Sequence, residues 1–498
     1  MESNKFFHSV YLDEDLCQGC VNCIKRCPTE AIRVWDGKAH ILKQFCIDCG
    51  ECVRICSHHA KRIRRDSLDV LSQYEYTVAL PPPSLYAQFN NLEDVNILLT
   101  ALLYLGFDDV YEVPAAAEMV SAAARAYVSE HREDWPYIST ACPTVVRLIR
   151  IRFPNLIDHL LPLNPPVEVA ARLARQRAMA RTGLRADQIG VIFLSPCPAK
   201  ISYVKTPLGT EHSAIDNAVA VKDIYPKLLL HMKEARKNPL PLSSAGQIGV
   251  GWGSGGGESA GMKTDSYLAA DGIENVIHVL EDLEDEKLRG LQFIELDACP
   301  GGCVGGVLNV ENPHVAKSKL KRLNRFLPDR PAETAAEAPP EVMDWNEHVI
   351  YEPVFRLGSN VRESIAMVKQ VDSLLQQLPG LDCGSCGAPT CRARAEDIVR
   401  GHGSKQDCIH VLKRSVKELT ASCTKLADEA IQELPDADAR LRPLLSNLQK
   451  LGEQAALMDG PLTENLPEEQ KQQLAARKAH TEETESPHPT QESQEETL

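Results

Sequence analysis

Apolar and polar positions alternate along Tyr76-Thr77-Val78-Ala79-Leu80 before the chain meets Pro81-Pro82-Pro83-Ser84, which predicts a strand ending at a rigid turn. From Leu98 to Leu105 the apolar residues fall at helical spacing and stop at Gly106. Val110-Tyr111-Glu112-Val113 reads as a short strand, and Ala115 to about Glu130 as a helix. Ile138-Ser139-Thr140 leads into Ala141-Cys142-Pro143, and Val191-Ile192-Phe193-Leu194 is a buried-type strand whose end delivers Cys197. Strands and helices in alternation predict an α/β domain with its site at the strand ends. A second rhythm appears later, at Leu412, Val416, Leu419, Cys423, Leu426, Ala430 and Leu434. Spacings of three and four there predict a helix with an apolar stripe, suited to a coiled coil or hairpin and so to a homodimer contact. Another series, Leu444, Leu445, Leu448 and Leu451, follows the breaks at Pro435 and Pro443.

Composition narrows the class. The 498 residues are enough for several domains, and 43% hydrophobic content with 5% aromatic suits a soluble globular protein. No run approaches the roughly 18 apolar residues of a membrane span. The first eight residues lack the charged-then-apolar pattern of an export signal, so a cytoplasmic location is expected. A net charge of −15 argues against nucleic acid as a partner. Part of that charge is local, since residues 461–498 hold nine Glu against three basic residues and read as disordered.

The 17 cysteines change the picture most. Residues 1–64 contain Cys17-x2-Cys20-x2-Cys23-x3-Cys27-Pro28 and Cys46-x2-Cys49-x2-Cys52-x3-Cys56. In two-cluster ferredoxins the fourth cysteine of each run ligates the other cluster. That predicts one [4Fe–4S] on Cys17, Cys20, Cys23 and Cys56, and a second on Cys46, Cys49, Cys52 and Cys27. Zinc is the alternative, although eight cysteines in this doubled spacing are hard to obtain otherwise. Ser57 stands where proline usually follows the last cysteine, and His58 and His59 read as surface residues. Farther on, Cys383-x2-Cys386-x4-Cys391-x16-Cys408, with interleaved glycines, predicts another cubane, with zinc again the alternative. A helix is expected from Cys391 to a cap at Gly401. Cys423, within the apolar stripe, reads as a small buried hydrophobe.

Four more cysteines lie on three segments: Cys142-Pro143, Pro196-Cys197-Pro198-Ala199-Lys200 and Cys299-Pro300-Gly301-Gly302-Cys303-Val304-Gly305-Gly306. The Pro-Gly-Gly between the last pair allows the backbone to wrap closely around something bulky. The order TxCP, PCxxK, CPGGCxGG resembles the active-site domain of [FeFe]-hydrogenases over roughly residues 78–315. That resemblance implies an H-cluster whose cubane is held by Cys142, Cys197, Cys299 and Cys303, with Cys303 bridging to a two-iron subsite carrying CO and cyanide. It also implies that Lys200 donates to one cyanide, since an anionic acceptor suits a cation donor, and that Ser84 serves the other. Gly253-Ser254-Gly255-Gly256-Gly257-Glu258 lacks the ending and context of a phosphate loop and is expected to be a tight turn near the cluster.

The departures from the family are as informative. The place of its proton-relay cysteine is taken by Ala141, which can neither accept nor donate a proton. Its flanking methionines are replaced by Ser195 and Asp297, and Tyr203 stands where a glutamate is usual. With the extra C-terminal cubane, this set resembles the sensory type of [FeFe]-hydrogenase, although no PAS domain is evident.

The expected architecture is multidomain α/β. A ferredoxin-like 2[4Fe–4S] domain (1–64) precedes an iron-hydrogenase H-cluster domain (75–325) and a Pro/Ala/Glu linker (326–360). A small [4Fe–4S] module (361–411), a helical segment (412–458) and an acidic tail (459–498) follow. The functional expectation is H2 or redox sensing at an H-cluster with low turnover, electrons passing through three [4Fe–4S] clusters to ferredoxin or a signalling protein. H2 and protons would be its small partners. A ferredoxin-linked hydrogenase that relays protons by another path, such as Asp297, and a non-catalytic electron-transfer or iron–sulfur assembly protein are the other readings. Whether the chain is an enzyme rests on what replaces the relay at Ala141.

Overall fold

A computed structural model describes residues 6–329, 338–433, 442–448 and 450. The chain forms two compact units, one of residues 1–372 with 380–400, the other of 373–379 with 401–498.

The first unit begins with the small cysteine-rich fold. Strand β1 (Val10–Leu12) leads to helix α1 (Asn22–Lys25), the hairpin β2 (Ile32–Trp35) and β3 (Lys38–Ile41), helix α2 (Glu51–Ile55) and β4 (Lys61–Ile63). β1 pairs antiparallel with β4, and β2 with β3. Such short elements bury little apolar surface; Cys17, Cys23, Ile24, Ile32, Ala39 and Ala60 form the small core.

The large α/β body follows: β5 (Tyr76–Leu80), α3 (Pro83–Tyr86), α4 (Val95–Leu105), β6 (Asp109–Val110), α5 (Val113–Glu130) and β7 (Tyr137–Ile138). Next come α6 (Pro143–Arg152), α7 (Pro166–Thr182), β8 (Ile189–Ser195), α8 (Pro198–Lys205), β9 (Asn217–Ala220) and α9 (Val221–Ala235). The body closes with α10 (Gln247–Gly251), α11 (Gly257–Met262), β10 (Tyr267–Asp271), α12 (Ile273–Glu284), β11 (Phe293–Asp297) and α13 (Pro313–Asn324). Two parallel sheets form, in the orders β6-β5-β8-β9 and β10-β11-β7. Helices cover them, so the strands read as continuous apolar runs; all seven residues of β8 are buried.

Parallel order points the carboxyl ends of β5, β8, β7 and β11 the same way within each sheet. The segments that follow those ends carry Ser84, Cys197, Cys142 and the Cys299–Cys303 segment, as expected for a site at strand ends.

The local expectations hold for β5 and α4, whose last turn is capped by Gly106 at φ 118°. The expected strand at Val110–Val113 is shorter: it ends at Val110, and Val113 already opens α5. Pro114 in the first turn favours helix initiation there. The expected 326–360 linker is also different where it is described. Residues 340–343 form α14 (Pro340–Met343), with Val342 and Met343 buried. Asn164 Nδ2 donates to the carbonyls of Val342 and Asp344 at 3.1 and 2.8 Å, and the Trp345 amide donates to the Pro162 carbonyl. The apolar pair inside the Pro/Glu-rich stretch therefore straps it to the body.

Helix α15 (Val361–Leu375) then leads to the loop of Cys383, Cys386 and Cys391, and α16 (Cys391–Val399) ends just before Gly401 at φ 80°. In the second unit, α17 (Ile409–Glu433) is one continuous helix, and Leu412, Val416, Leu419 and Leu426 of its stripe are exposed. Residues 442–448 are helical, Pro443 among them. Leu434, Pro435, Leu451 and the tail 459–498 lie outside the described residues. Among the described residues no helix is long and apolar enough to cross a membrane.

Candidate functional site

Cys142 occupies the N-cap position of α6, with Pro143 next, and Cys197 that of α8, with Pro198 next. Proline suits the first helical position because its missing N–H would be unpaired there. Each thiol thus stands at the positive end of a helix, where a thiolate is favoured. The third segment folds back on itself: Gly302 adopts φ 89°, and a Cβ there would lie 2.3 Å from the Gly255 amide nitrogen. The expected Gly-rich turn packs against this segment, since Gly255 N donates to the Gly301 carbonyl and Val304 N to the Gly253 carbonyl.

These segments bring Cys142, Cys197, Cys299 and Cys303 around one small cavity of about 20 Å³, which Lys200, Asp297, Asp48 and Cys49 also line. Burial, then the Cys197, Cys142 and Cys303 thiols, push the Cys299 thiol well up, and burial pushes Cys303 up to about 12 against the pull of Lys200. Buried thiols in mutual range are poor thiolates alone; a bound cation reverses that, so this donor set fits a metal cluster.

A second cavity, of about 50 Å³, adjoins through Lys200, Asp297 and Cys303, and is walled by Pro82, Pro83, Ala141, Phe193, Trp252, Glu258 and Glu295. It is several times the space one water needs. Lys200 Nζ donates to Cys303 Sγ at 3.5 Å. Burial pulls the Lys200 ammonium down, but Cys303, Cys197 and Cys142 outweigh it and the net shift is upward. Ser84 Oγ is buried without a hydrogen-bond partner among the described residues, although its carbonyl accepts from Gln88. A cation donor beside the four thiols fits a bound group rich in acceptors, and Ser84 directly follows Pro83 of the larger cavity's wall.

Two acids of this cavity escaped the sequence reading. Ser139 Oγ donates to Glu258 Oε2 at 2.6 Å, and Glu295 accepts from the amides of Gly256 and Ser259. Burial, then Glu295, pushes the Glu258 carboxyl well up. Burial and Glu295 likewise raise Asp297 to about 7, against Lys200. The alternation Glu295-x-Asp297 on β11 was the available signal, because residues two apart in a strand share a face. Tyr203 is buried with its hydroxyl unpartnered among the described residues, and Ser195 Oγ donates to the Cys197 carbonyl.

In the cysteine-rich fold, Cys27, Cys46, Cys49 and Cys52 line one cavity of about 20 Å³. Burial pushes Cys46 and Cys49 up, with Cys52 and Cys27 among the further causes for each. Burial also raises Cys23, opposed by Lys61 and reinforced by Cys20, Cys17 and Cys56. The fourth cysteine of each run thus lies with the other three of its neighbour run. Asp48 joins this fold to the body: its carboxylate meets His8 Nδ1 at 3.1 Å and accepts from Ser202 Oγ at 2.8 Å. Cys49 lines both the fold's own cavity and the cavity of Cys142, Cys197, Cys299 and Cys303. Cys383, Cys386 and Cys391 share one loop of the first unit, and Cys408 is buried in the second.

Residues 75–307 match the family described as iron only hydrogenase large subunit, C-terminal domain. Residues 9–57 match the 4Fe-4S dicluster domain, and residues 378–410 match an Fe-S cluster family. A search of curated proteins returns no match. Among solved structures, similar ones include apo [FeFe]-hydrogenase HydA1 from Chlamydomonas reinhardtii, a cysteine-to-histidine variant. It is 13% identical over 57% of this chain and 98% of that one, with a TM-score of 0.43. A glutamate-to-glutamine variant of the same protein is 12% identical over the same shares, with a TM-score of 0.44.

Proposed function

Because the chain belongs to the [FeFe]-hydrogenase-like family, we propose that it senses H2 or redox state at an H-cluster, turns over slowly, and exchanges electrons with a partner through [4Fe–4S] clusters. Cys142, Cys197, Cys299 and Cys303 would hold the cubane, and Lys200 and Ser84 would donate to the cyanides of the two-iron subsite. The dicluster cysteines and Cys383, Cys386, Cys391 and Cys408 would hold the other three. When bound, the two-iron subsite supplies reversible cleavage of H2.

The observation that carries this reading is Ala141, which lines the same cavity as Lys200 and Cys303. The donors that would orient the group are kept, while a methyl occupies the place of the family's proton-relaying thiol. A methyl moves no proton, and general acid–base help of that kind contributes roughly 10²–10⁴ in rate. Phe193, Trp252 and five prolines make much of the cavity wall apolar. Reduced thiols in such number suit the cytoplasm. The downstream partner would be a ferredoxin or signalling protein, and the exposed stripe of α17 would suit a homodimer.

The acidic wall supports a second reading, an ordinary hydrogenase with a substitute path. Burial raises both carboxyls, Glu258, held by Ser139, and Asp297, the latter to about 7, where it can take and give a proton. Infrared spectroscopy on anaerobically matured protein, with and without H2, tests both. Bands in the CO and cyanide region that shift under H2, with turnover far below a control hydrogenase, are expected. High turnover would favour the second reading. Absence of bands, where the control is loaded, would overturn both and leave an electron-transfer or iron–sulfur assembly protein.

A further inference from the structure

We propose that the loop of Cys383, Cys386 and Cys391 is fixed against the Cys17/Cys20/Cys23/Cys56 site, so that its cluster is the outermost member of a four-centre electron chain. The proposal rests on the reading that each cysteine group holds a [4Fe–4S] cluster.

The contact combines backbone bonds, a lysine bracket and a buried ion pair. The Val34 amide of β2 donates to the Gly387 carbonyl at 2.8 Å. Gly387 has φ 83°, and a Cβ there would lie 1.7 Å from the Val34 oxygen, so the two backbones touch. Lys25 at the end of α1 donates to the carbonyls of Asp382 and Pro389, bracketing the loop. A Cβ on Gly384 would meet Lys25 and Ile24 side chains at 3.3 and 3.4 Å. Ile24 follows Cys23 directly, and the hairpin that receives Gly387 also supplies Ala39 N to Cys17 Sγ at 3.4 Å. Behind the loop, Arg33 of β2 donates to both carboxylate oxygens of Asp397 on α16, at 2.5 and 3.2 Å.

That ion pair is what distinguishes a fixed module from a tethered one. The Arg33 and Asp397 side chains are only 4% and 6% exposed. Two charges taken out of water repay their desolvation only in good, permanent geometry, so an intermittent contact would leave them solvated. Burial also pushes the Glu30 carboxyl up, and Thr390 Oγ1 lies 3.4 Å from it.

The order of the centres follows from which residues each cavity shares. The loop meets α1 and β2; Cys23 and Cys27 flank the end of α1; and Cys49 lies on the wall shared with Cys142, Cys197, Cys299 and Cys303. Cys383 is exposed whereas Cys23 is buried, so the loop is the more accessible end. In each hop one electron moves: the donor cubane is oxidised from 1+ to 2+ and the next is reduced from 2+ to 1+, with no proton or bond involved. A one-electron carrier of low potential supplies or removes the electron at the loop.

Electron paramagnetic resonance on the anaerobically reconstituted full chain, reduced stepwise, tests the arrangement. The Cys17/Cys20/Cys23/Cys56 signal is expected to be split by spin coupling to the outer cubane. Cys383→Ser with Cys391→Ser should remove one cubane's iron and simplify that signal to the two-centre coupling with the Cys27/Cys46/Cys49/Cys52 cubane. Asp397→Arg, which repels Arg33, should lose the same part of the splitting while keeping the iron. A wild-type spectrum that is a plain sum of independent cubanes, or splitting indifferent to these changes, would overturn the proposal. Iron content unmoved by the cysteine changes would instead overturn the cluster reading beneath it, and the relay with it.

Discussion

Lys200 Nζ lies 3.5 Å from Cys303 Sγ, on the wall that the thiol-lined cavity shares with the larger one. The ammonium lowers the thiol's pKa against burial, and the thiol raises that of the ammonium, so each favours the charged form of the other. Lys200→Gln removes the charge and keeps a donor. Groups that orient a metal site typically contribute 10–100-fold in affinity. We expect CO and cyanide bands at least about 10-fold weaker in this variant after identical maturation, with the three other cubanes retained by iron count.

Restoring a thiol at position 141 tests the missing relay. Ala141→Cys places an acid–base group on the wall shared with Lys200 and Cys303. Turnover in an H2-evolution assay should rise by about 10²-fold or more. An unchanged rate, with infrared bands intact, would mean that proton transfer is not what limits this site.

Glu258 gives a pH signature. Its folded-state value is raised above the ordinary 4.5 by burial first and Glu295 second. The folded protein therefore binds the proton more tightly than the unfolded chain, and its stability falls as pH rises above that ordinary value. Glu258→Gln retains an acceptor for Ser139 without that liability. Its stability relative to wild type should grow with pH, by at most about 1.4 kcal/mol per unit, until the folded-state carboxyl ionises. Denaturant unfolding at pH 5, 6 and 7 would read the slope; parallel curves would contradict it.

Gly387→Ala tests the touching backbones. The added methyl meets the Val34 oxygen at 1.7 Å in a left-handed conformation. Both effects are unfavourable, and the strain alone is of order 1–3 kcal/mol. Hydrogen exchange should become faster at the Val34 amide and across α16, while β5 and β8 are unaffected.

The sequence by itself determined the cysteine groups. Spacings such as Cys17-x2-Cys20-x2-Cys23 are covalent facts, and a cubane needs its ligands on tight loops, so local order is enough to read them. The strand at Tyr76–Leu80 and the helix to Gly106 were legible for the same reason, as their signals lie within one element. The strap at Val342 and Met343 was not legible, because two apolar residues within a Pro- and Glu-rich stretch reveal nothing until Asn164 receives them.

Only the tertiary structure decided what surrounds the thiols. Ser139, Glu258 and Glu295 come from three distant segments; burial raises both carboxyls and the Glu295 charge raises that of Glu258 further, which no local pattern encodes. The pairing of Arg33 with Asp397 spans most of the chain and was equally invisible in the sequence. Ligand chemistry is carried by residue type and spacing. The environment that tunes it is set by which parallel strands end side by side and which surfaces close over them.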